Sequence, residues 1–137
     1  YTDDAPIRQN LTKEYGVRFV SLRELAKLSD IISVNVPATR STENLINAEI
    51  IDAMKEDCIF VSVARESVMD MPALVSKATK NQGFYAILDL DLCEELVDMC
   101  NGSNIVCTPH IAGGTIEARN RMFLQTAKVI KETMIRK

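Results

Sequence analysis

Three segments decide the fold of this chain: VSVAR at residues 61–65, AILD at 86–89 and TPHIAGG at 108–114. Each reads as a hydrophobic β-strand that ends on a polar or ionisable residue. In open parallel sheets, ligands bind outside the carboxyl ends of the strands. The pattern therefore predicts that Arg65, Asp89 and His110, the only histidine of the chain, converge on one edge of a parallel sheet.

Apolar runs on both sides of these segments extend the same pattern. A run that is apolar almost throughout, such as residues 58–63, indicates a strand buried on both faces of a sheet that helices cover. Stretches with helical spacing of apolar residues separate the runs. This alternation predicts an α/β fold, a doubly wound parallel sheet with right-handed crossovers. The predicted strands are residues 17–20, 31–36, 58–63, 84–88 and 105–107, with residues 1–4 as the end of a preceding strand.

Polar residues that favour helix N-caps mark where several helices begin. They are Ser21, Asn47, Asp70 and Thr115. The helix after Thr115 is the longest, and its apolar stripe predicts docking onto the sheet or, alternatively, onto a partner. The stripe consists of Ile116, Phe123, Ala127, Ile130 and Met134.

The composition is that of a globular domain. With 137 residues, 47% of them hydrophobic and 26% charged, the chain has the size of one domain with one core. The net charge of −3 and the scattered basic residues argue against a nucleic-acid-binding surface. No apolar run approaches the roughly 18 residues that span a membrane, and no signal segment opens the chain, so we expect a cytosolic protein. The four cysteines lack the spacing of zinc ligands, and we expect no metal site.

His110 is a candidate for acid–base chemistry. It follows a predicted strand and comes just before the small-residue segment 112–114, which opens the last helix. An imidazole in this place can exchange protons near neutral pH, although a surface or structural histidine gives the same sequence pattern. A neighbouring carboxylate would favour its charged form. Glu94 and Glu95 are the candidates, and since they are adjacent, at most one of them should point into a site.

Arg65 is a candidate for binding an anion. It ends an apolar strand, where a guanidinium is costly unless it meets a negative charge. A substrate carboxylate would be such a charge. The alternative is an ion pair within the chain, with Glu66, Asp70 or Glu94 as the partner.

Two aspartates also stand at strand ends. Asp89 could accept a hydrogen bond from a carboxamide, or it could cap the chain around it. Asp3 lies where a dinucleotide-binding fold keeps an acid for the adenosine ribose hydroxyls, although aspartates in surface turns are common.

Together these motifs have a recognisable order. In chain order they are VP at 36–37, LIN at 45–47, VAR at 63–65, VMD at 68–70, LDL at 88–90, Glu94 and TPHIAG at 108–113. This order resembles the NAD(P)-binding domain of the D-isomer-specific 2-hydroxyacid dehydrogenases, and the similarity covers nearly the whole chain. Within that family the sequence looks closest to glyoxylate and hydroxypyruvate reductases.

The resemblance implies catalytic roles for Arg65, Glu94 and His110. Arg65 would bind the carboxylate and carbonyl oxygen of the substrate. Glu94 would orient and charge His110, which would protonate the carbonyl oxygen as hydride arrives from the nicotinamide. Which of Glu94 and Glu95 faces the histidine stays open, because the stretch after Glu94 is short and lacks the family's usual proline.

The resemblance also implies a cofactor site. Asp89 would hold the carboxamide and Asp3 the adenosine ribose. An acid at position 3 favours NAD over NADP, since it would repel a 2′-phosphate. The other residues lining the cofactor would be Val36, Val63, Ala64, His110, Ala112 and Gly113.

The chain departs from the family pattern in several places. Ser62 and Val63 stand where the family has Asn-Thr, and Glu66 replaces a glycine, where it could crowd or pair with Arg65. No Gly-x-Gly-x-x-Gly loop is present, so the pyrophosphate lacks its usual anion site. We therefore predict a Rossmann-like, partial dinucleotide-binding domain over residues 1–137, without the first βα unit and without the substrate domain. Alone, it should neither bind a dinucleotide tightly nor turn over substrate.

The resemblance implies that the parent protein is a cytoplasmic, homodimeric oxidoreductase. It would reduce a 2-oxo acid such as glyoxylate or hydroxypyruvate to the D-2-hydroxy acid. The alternative is a non-catalytic NAD-sensing or corepressor-like module on the same fold, which Glu66 and the altered loop after Glu94 favour. The joint presence of Arg65, a glutamate and His110 favours the enzyme, since a binding module needs no charged histidine.

Overall fold

The computed structural model describes residues 5–91 and 93–135. Its strands are β1 (Ile31–Val34), β2 (Ile59–Ser62), β3 (Tyr85–Leu90) and β4 (Ile105–Pro109). Its helices are α1 (Ala5–Tyr15), α2 (Leu22–Leu28), α3 (Ala48–Ala53), α4 (Met71–Lys80), α5 (Glu94–Cys100) and α6 (Ile116–Ile135). A short 3-10 helix, Glu66–Val68, lies between β2 and α4.

The four strands form one parallel sheet in the order β1-β2-β3-β4. Ile32, Phe60 and Ala86 lie side by side across it, and Ala86 is paired in turn with Ile105. A helical connection joins each strand to the next, as parallel pairing requires. The predicted α/β, Rossmann-like architecture with a parallel sheet is confirmed.

The strand predicted at residues 17–20 is wrong. Residues 16–20 have no regular secondary structure, and α2 begins directly after Ser21. Gly16 has a φ of 67°, a left-handed conformation typical of the residue that ends a helix. The segment between α1 and α2 pairs with no strand of the described residues, so its β-branched side chains have no ladder to join. Residues 1–4, predicted as the end of a strand, lie outside the described residues.

Helices α2 to α5 form a layer on one face of the sheet. Alternate strand residues point into this layer, where Phe60 and Leu88 are fully buried together with Ile51 of α3 and Leu74 of α4. Full burial of side chains of this size contributes about 1.5–3 kcal/mol each. This core therefore fixes the strands from one side.

The opposite face of the sheet is apolar and open within the described residues. Ile31, Ile59 and Tyr85 form a cross-strand row on it, and Tyr85 is 50% exposed. The prediction that helices bury both faces is therefore wrong for these residues. An almost continuous apolar run establishes that both faces of a strand are apolar, but it does not establish what covers them.

Helix α6 does not pack on the sheet. Its described side chains are exposed except for that of Ala118, which is half-buried, and Phe123 is 65% exposed. The predicted docking of the apolar stripe onto the sheet is wrong for the described residues, and docking onto a partner stays a prediction. No helix of the described residues is long and apolar enough to cross a membrane.

The predicted N-caps are confirmed. At Ser21, Asn47, Asp70 and Thr115, the side-chain oxygen accepts a hydrogen bond from the backbone N–H three residues on, at 3.0 to 3.2 Å. Each bond satisfies a backbone donor that the first turn of a helix leaves unpaired. These caps set where α2, α3, α4 and α6 begin.

The carboxylate of Asp89 ties the chain after β4 to the middle of the sheet. Asp89 lies in β3 directly beside Thr108 of β4. Its Oδ1 accepts hydrogen bonds from the Thr108 hydroxyl and from the Ile111 N–H at 2.8 Å, and its Oδ2 accepts from the Ala112 N–H at 2.8 Å. The side chain is buried, so these donors replace the water that a carboxylate would otherwise bind.

The same environment sets the ionisation of Asp89. Burial raises the pKa of its carboxyl group, but the hydrogen bonds from Thr108, Ala112 and Ile111 and the charge of His110 outweigh burial and lower it. The pKa of Asp89 therefore lies below its ordinary value of 3.8. Because the folded-state pKa is depressed, the stabilisation is present above that ordinary value and is lost as the pH falls through the folded-state value.

We expect Asp89→Asn to lower the free energy of unfolding at pH 7 by about 2 kcal/mol, because the amide nitrogen cannot accept a hydrogen bond and the charge is lost. The difference from the unsubstituted chain should narrow as the pH falls below 3.8, the ordinary carboxyl pKa, toward the lower folded-state pKa. Urea unfolding followed between pH 7 and roughly pH 3 measures this difference.

Asp98→Asn is the matched control. Asp98 is exposed on α5, and its side chain makes no hydrogen bond or ion pair within residues 5–91 and 93–135. Its substitution should change stability by less than about 0.5 kcal/mol at any pH. A loss in Asp89→Asn that is the same at pH 7 and in acid would contradict the proposed role of the charge.

Candidate active site

Consecutive strands deliver the candidate residues to one edge of the sheet. Arg65 follows β2, Asp91 follows β3 and His110 follows β4. Because neighbouring strands lie about 4.8 Å apart, the ends of β2 and β4 are roughly 10 Å apart with the end of β3 between them. The predicted convergence of Arg65 and His110 on this edge agrees with the topology.

Arg65 lines a surface cleft of about 550 Å³. Its backbone is extended and its carbonyl accepts the Val68 N–H at 3.0 Å, which starts the 3-10 helix. The cleft is also lined by Glu66, Asp70 and Asp91. None of the carboxylates among the described residues lies within ion-pair distance of the Arg65 guanidinium. The charge of Arg65 is therefore available to an external anion.

His110 pairs with Asp91. Its Nδ1 lies 2.7 Å from the Asp91 Oδ1, and the two side chains are 40% and 79% exposed. The pairing follows from register, since Leu90 of β3 lies beside Pro109 of β4 and both residues come next in the chain. Asp91 also lines the cleft of Arg65, so it connects the imidazole to that cleft.

The backbone of His110 has an uncommon conformation. Its φ is 51°, in the left-handed region that few residues other than glycine adopt, and its N–H donates to the Thr108 carbonyl at 2.9 Å. The Asp89 carboxylate accepts from the Thr108 hydroxyl before the histidine and from the Ile111 and Ala112 N–H groups after it, and these bonds hold the turn. The imidazole therefore projects from a short, constrained bend and not from a loose loop.

Glu94 does not contact His110 in the structure. It is the exposed first residue of α5 and lines a different cleft, together with Cys93, Val97 and Asp98. The carboxylate of Glu95 accepts from its own backbone N–H and from the Cys93 thiol, which lowers the pKa of Glu95 below its ordinary value. The structure thus places Asp91, and neither glutamate, at the histidine.

Sequence reasoning missed Asp91 because it ended β3 too early. The predicted strand stopped at residue 88, whereas the observed strand continues to Leu90. The alternation of Leu88, Asp89, Leu90 and Asp91 was the available signal, since it continues the period of a strand by two residues. With the longer strand, Asp89 is an interior strand residue and Asp91 is the one at the edge.

The resemblance implies a set of residues that line the cofactor, and those that the structure describes lie at the same edge of the sheet. Val36 is half-buried against the core, Val63 is exposed, and Ala64 is buried with its N–H donating to the Ser62 hydroxyl at 3.2 Å. Asp3 lies outside the described residues. The loop of residues 110–113 is held by Asp89, and no atom lies within 4 Å of the position that a Cβ on Gly113 would take.

The described residues contain no group of three or more His, Cys, Asp or Glu side chains that could hold a metal ion. The side chains at the edge include a guanidinium, an imidazole and a carboxylate.

Comparison with known proteins identifies relatives. The sequence model described as D-isomer specific 2-hydroxyacid dehydrogenase, NAD binding domain, matches residues 1–112. The hydroxypyruvate reductase of Thermotoga maritima is 37% identical over 122 residues, which are 85% of this chain and 40% of the relative. The glyoxylate reductase of Pyrococcus furiosus is 40% identical over 114 residues, which are 80% of this chain and 33% of the relative. The chain thus spans two fifths of these relatives or less.

Solved structures agree with the sequence comparison. D-lactate dehydrogenase from Aquifex aeolicus, in complex with NAD and lactic acid, superposes with a TM-score of 0.70 at 30% identity, over 89% of this chain and 42% of that chain. An acyclic imino acid reductase in complex with NADPH and D-Arg gives a TM-score of 0.75 at 28% identity, over 90% of this chain and 40% of that chain. The chain belongs to the D-isomer specific 2-hydroxyacid dehydrogenase family and corresponds to its NAD binding domain.

Proposed function

We propose that the full-length gene product containing this chain reduces a small 2-oxo acid to the D-2-hydroxy acid with NADH. The observation that carries the proposal is the placement of an unpaired guanidinium and an imidazole–carboxylate pair at one sheet edge, with Asp91 common to the pair and to the cleft of Arg65. A 2-oxo acid has a carboxylate for the guanidinium and a carbonyl oxygen that must gain a proton. The curated relatives point to glyoxylate and hydroxypyruvate as the first substrates to test.

Arg65 binds and orients the substrate in this proposal. Its planar guanidinium can donate two parallel hydrogen bonds to the substrate carboxylate, which fixes the direction of the neighbouring carbonyl. The separation of roughly 10 Å between the ends of β2 and β4 leaves room for a two- or three-carbon acid between Arg65 and His110. Orientation of this kind places the carbonyl oxygen toward the imidazole.

His110 supplies the proton. In its charged form the imidazolium holds a proton on Nε2, and this proton passes to the carbonyl oxygen while the carbonyl carbon accepts a hydride and becomes an alcohol carbon. The nicotinamide of NADH supplies that hydride when the cofactor is bound. The Asp91 carboxylate contacts the ring at Nδ1, 2.7 Å away, which leaves Nε2 for the substrate. In the reverse direction the neutral imidazole takes the proton back.

The chain has residues for one end of the dinucleotide. The open surroundings of Gly113, the exposed Val63 and the small Ala64 fit a flat ring at the strand ends, with Val36 behind it. The sequence contains no Gly-x-Gly-x-x-Gly loop for the pyrophosphate. We infer that these residues serve the nicotinamide end, that Asp89 contributes through the loop it holds, and that this chain alone binds NADH weakly.

The non-catalytic sensing or corepressor-like module receives no support from the relatives, which are named as reductases and dehydrogenases. We further propose that the full-length protein works as a cytoplasmic homodimer. The exposed apolar stripe of α6 is the feature that favours association. The free cysteines of the described residues are compatible with a reducing compartment.

We expect His110→Gln in the full-length gene product to lower kcat for glyoxylate and hydroxypyruvate by about 100- to 10,000-fold, because glutamine cannot donate a proton. The affinity for NADH, measured by fluorescence titration, should change little. Full turnover in this variant would exclude His110 as the proton donor.

We expect Arg65→Gln to lower kcat/KM for 2-oxo acids by on the order of 100-fold, through the loss of a charged, two-point contact. Reduction of an aldehyde of similar size without a carboxylate should be nearly unaffected by the same change. Arg18→Gln is the control, since Arg18 is an exposed arginine in the segment before α2 and lies 4.0 Å from Glu24. Equal losses for the acid and the aldehyde would contradict carboxylate binding by Arg65.

We expect Asp3→Ala to reduce the preference of the full-length protein for NADH over NADPH, since it removes the negative charge that would repel a 2′-phosphate. The ratio of kcat/KM values for the two cofactors measures this preference. An unchanged ratio would count against a ribose contact by Asp3.

A further inference from the structure

We propose that Glu66 selects the substrate by charge and restricts the protein to 2-oxo acids that carry a single negative charge. This inference rests on the proposed function, because it concerns the acid that Arg65 binds. It adds the class of molecule that the cleft rejects, namely 2-oxo dicarboxylates and phosphorylated 2-oxo acids. Glu66 is a residue at which the sequence departs from the family pattern, and the proposed reaction leaves it without a role.

A tight turn holds Glu66 beside Arg65. The Cα atoms of consecutive residues lie about 3.8 Å apart, and Glu66 is the first residue of the 3-10 helix that follows Arg65. Two backbone hydrogen bonds of 3.0 Å fix the turn: the Val68 N–H donates to the Arg65 carbonyl, and the Met69 N–H donates to the Glu66 carbonyl. The two side chains therefore leave the backbone from fixed neighbouring points, and both line the same cleft.

The carboxylate of Glu66 has no partner within the described residues. The sequence left open whether Glu66 pairs with Arg65, and the structure contains no ion pair between them. The side chain of Glu66 is exposed and accepts no hydrogen bond from residues 5–91 and 93–135. Its negative charge is therefore offset by no described cation at ion-pair distance.

The other two carboxylates that line the cleft have partners within the chain. Asp70 caps α4, where its Oδ1 accepts the Ala73 N–H at 3.0 Å at the positive end of the helix dipole. Asp91 faces the imidazole of His110, with its Oδ1 2.7 Å from Nδ1. Glu66 is thus the lining carboxylate whose charge no described group at contact distance opposes.

A bound substrate changes the balance of charge in the cleft. The substrate carboxylate uses the charge of Arg65, the only cation that lines the cleft among the described residues. A second negative group on the same molecule then shares the cleft with the unopposed carboxylate of Glu66. Repulsion between like charges several ångströms apart in partly solvated surroundings lowers affinity by about 3- to 10-fold. The hydrogen of glyoxylate and the hydroxymethyl group of hydroxypyruvate carry no charge and avoid this repulsion.

The test compares two four-carbon substrates of the full-length gene product, 2-oxobutanoate and oxaloacetate, which differ by a terminal methyl group or carboxylate. We expect Glu66→Gln to raise kcat/KM for oxaloacetate by about 3- to 10-fold and to change that for 2-oxobutanoate by less than about twofold. Glu66→Asp keeps the charge and should keep the preference for the monoanion. An unchanged ratio of the two kcat/KM values in Glu66→Gln, or an equal rise for both acids, overturns the proposal.

Glu56→Gln is the matched control. Glu56 is an exposed glutamate before β2, at the opposite end of that strand from Arg65, so its substitution makes the same change in net charge away from the cleft. The ratio of kcat/KM values in this variant should equal that of the unsubstituted protein. Raising the ionic strength from about 0.02 to 0.5 M should narrow the preference for the monoanion more in the unsubstituted protein than in Glu66→Gln. A preference that salt does not change would overturn selection by charge.

Binding without turnover separates this proposal from the proposed function. Succinamate and succinate share one skeleton, differ by one negative charge and contain no ketone to reduce. In titrations that follow the fluorescence of bound NADH, the unsubstituted protein should bind succinamate more tightly, and Glu66→Gln should reduce this difference by about 3- to 10-fold. Equal affinities in the unsubstituted protein, or no binding of either acid, would overturn the proposal. An unsubstituted protein that reduces no 2-oxo acid would instead refute the proposed function, and the titration would still decide the role of Glu66.

Discussion

The site depends on one buried carboxylate in the middle of β3. Asp89 is largely buried, and its charge is tolerable there because three donors from β4 and the segment after it meet its two oxygens. Those donors come from residues just before and just after His110. The requirement that Asp89 be satisfied is therefore also what holds the histidine in a conformation that its own backbone disfavours.

The parallel sheet turns this local constraint into a functional arrangement. Parallel strands all end at the same edge, so a guanidinium after β2, a carboxylate after β3 and an imidazole after β4 stand in a row without any loop having to bring them together. The spacing of the row is set by the spacing of the strands. The loops between strands and helices can then vary without moving the row.

The sequence predicted the features that depend on local periodicity and capping. Four of the apolar runs predicted as strands are strands in the structure. The predicted N-caps also form, because each cap bond joins residues only three positions apart in the chain; these caps are Ser21, Asn47, Asp70 and Thr115. The failures concern what surrounds an element. Residues 17–20 have strand-like side chains but no neighbouring strand, and the stripe of α6 is amphipathic but lies against nothing in the described residues.

The observed neighbour of His110 was not predicted for a different reason: β3 was predicted to end two residues too early. Extending β3 from residue 88 to Leu90 moves Asp89 from the edge into the ladder and puts Asp91 at the edge. A short apolar run sets the position of a strand end only to within a residue or two, and at a site that depends on strand ends this uncertainty changes the assigned partner. Asp89 and Asp91 are both acids, so composition could not separate the residue that holds the loop from the residue beside His110.

The uncovered face of the sheet bears on association more than on chemistry. Strand positions are set by residues such as Phe60 and Leu88, which pack under α2 to α5 on the covered face. The row of Arg65, Asp91 and His110 continues from those strands, so one packed face is enough to hold it. Burial of Ile31 and Tyr85 against further protein would add apolar burial, but the edge that carries Arg65, Asp91 and His110 does not depend on it.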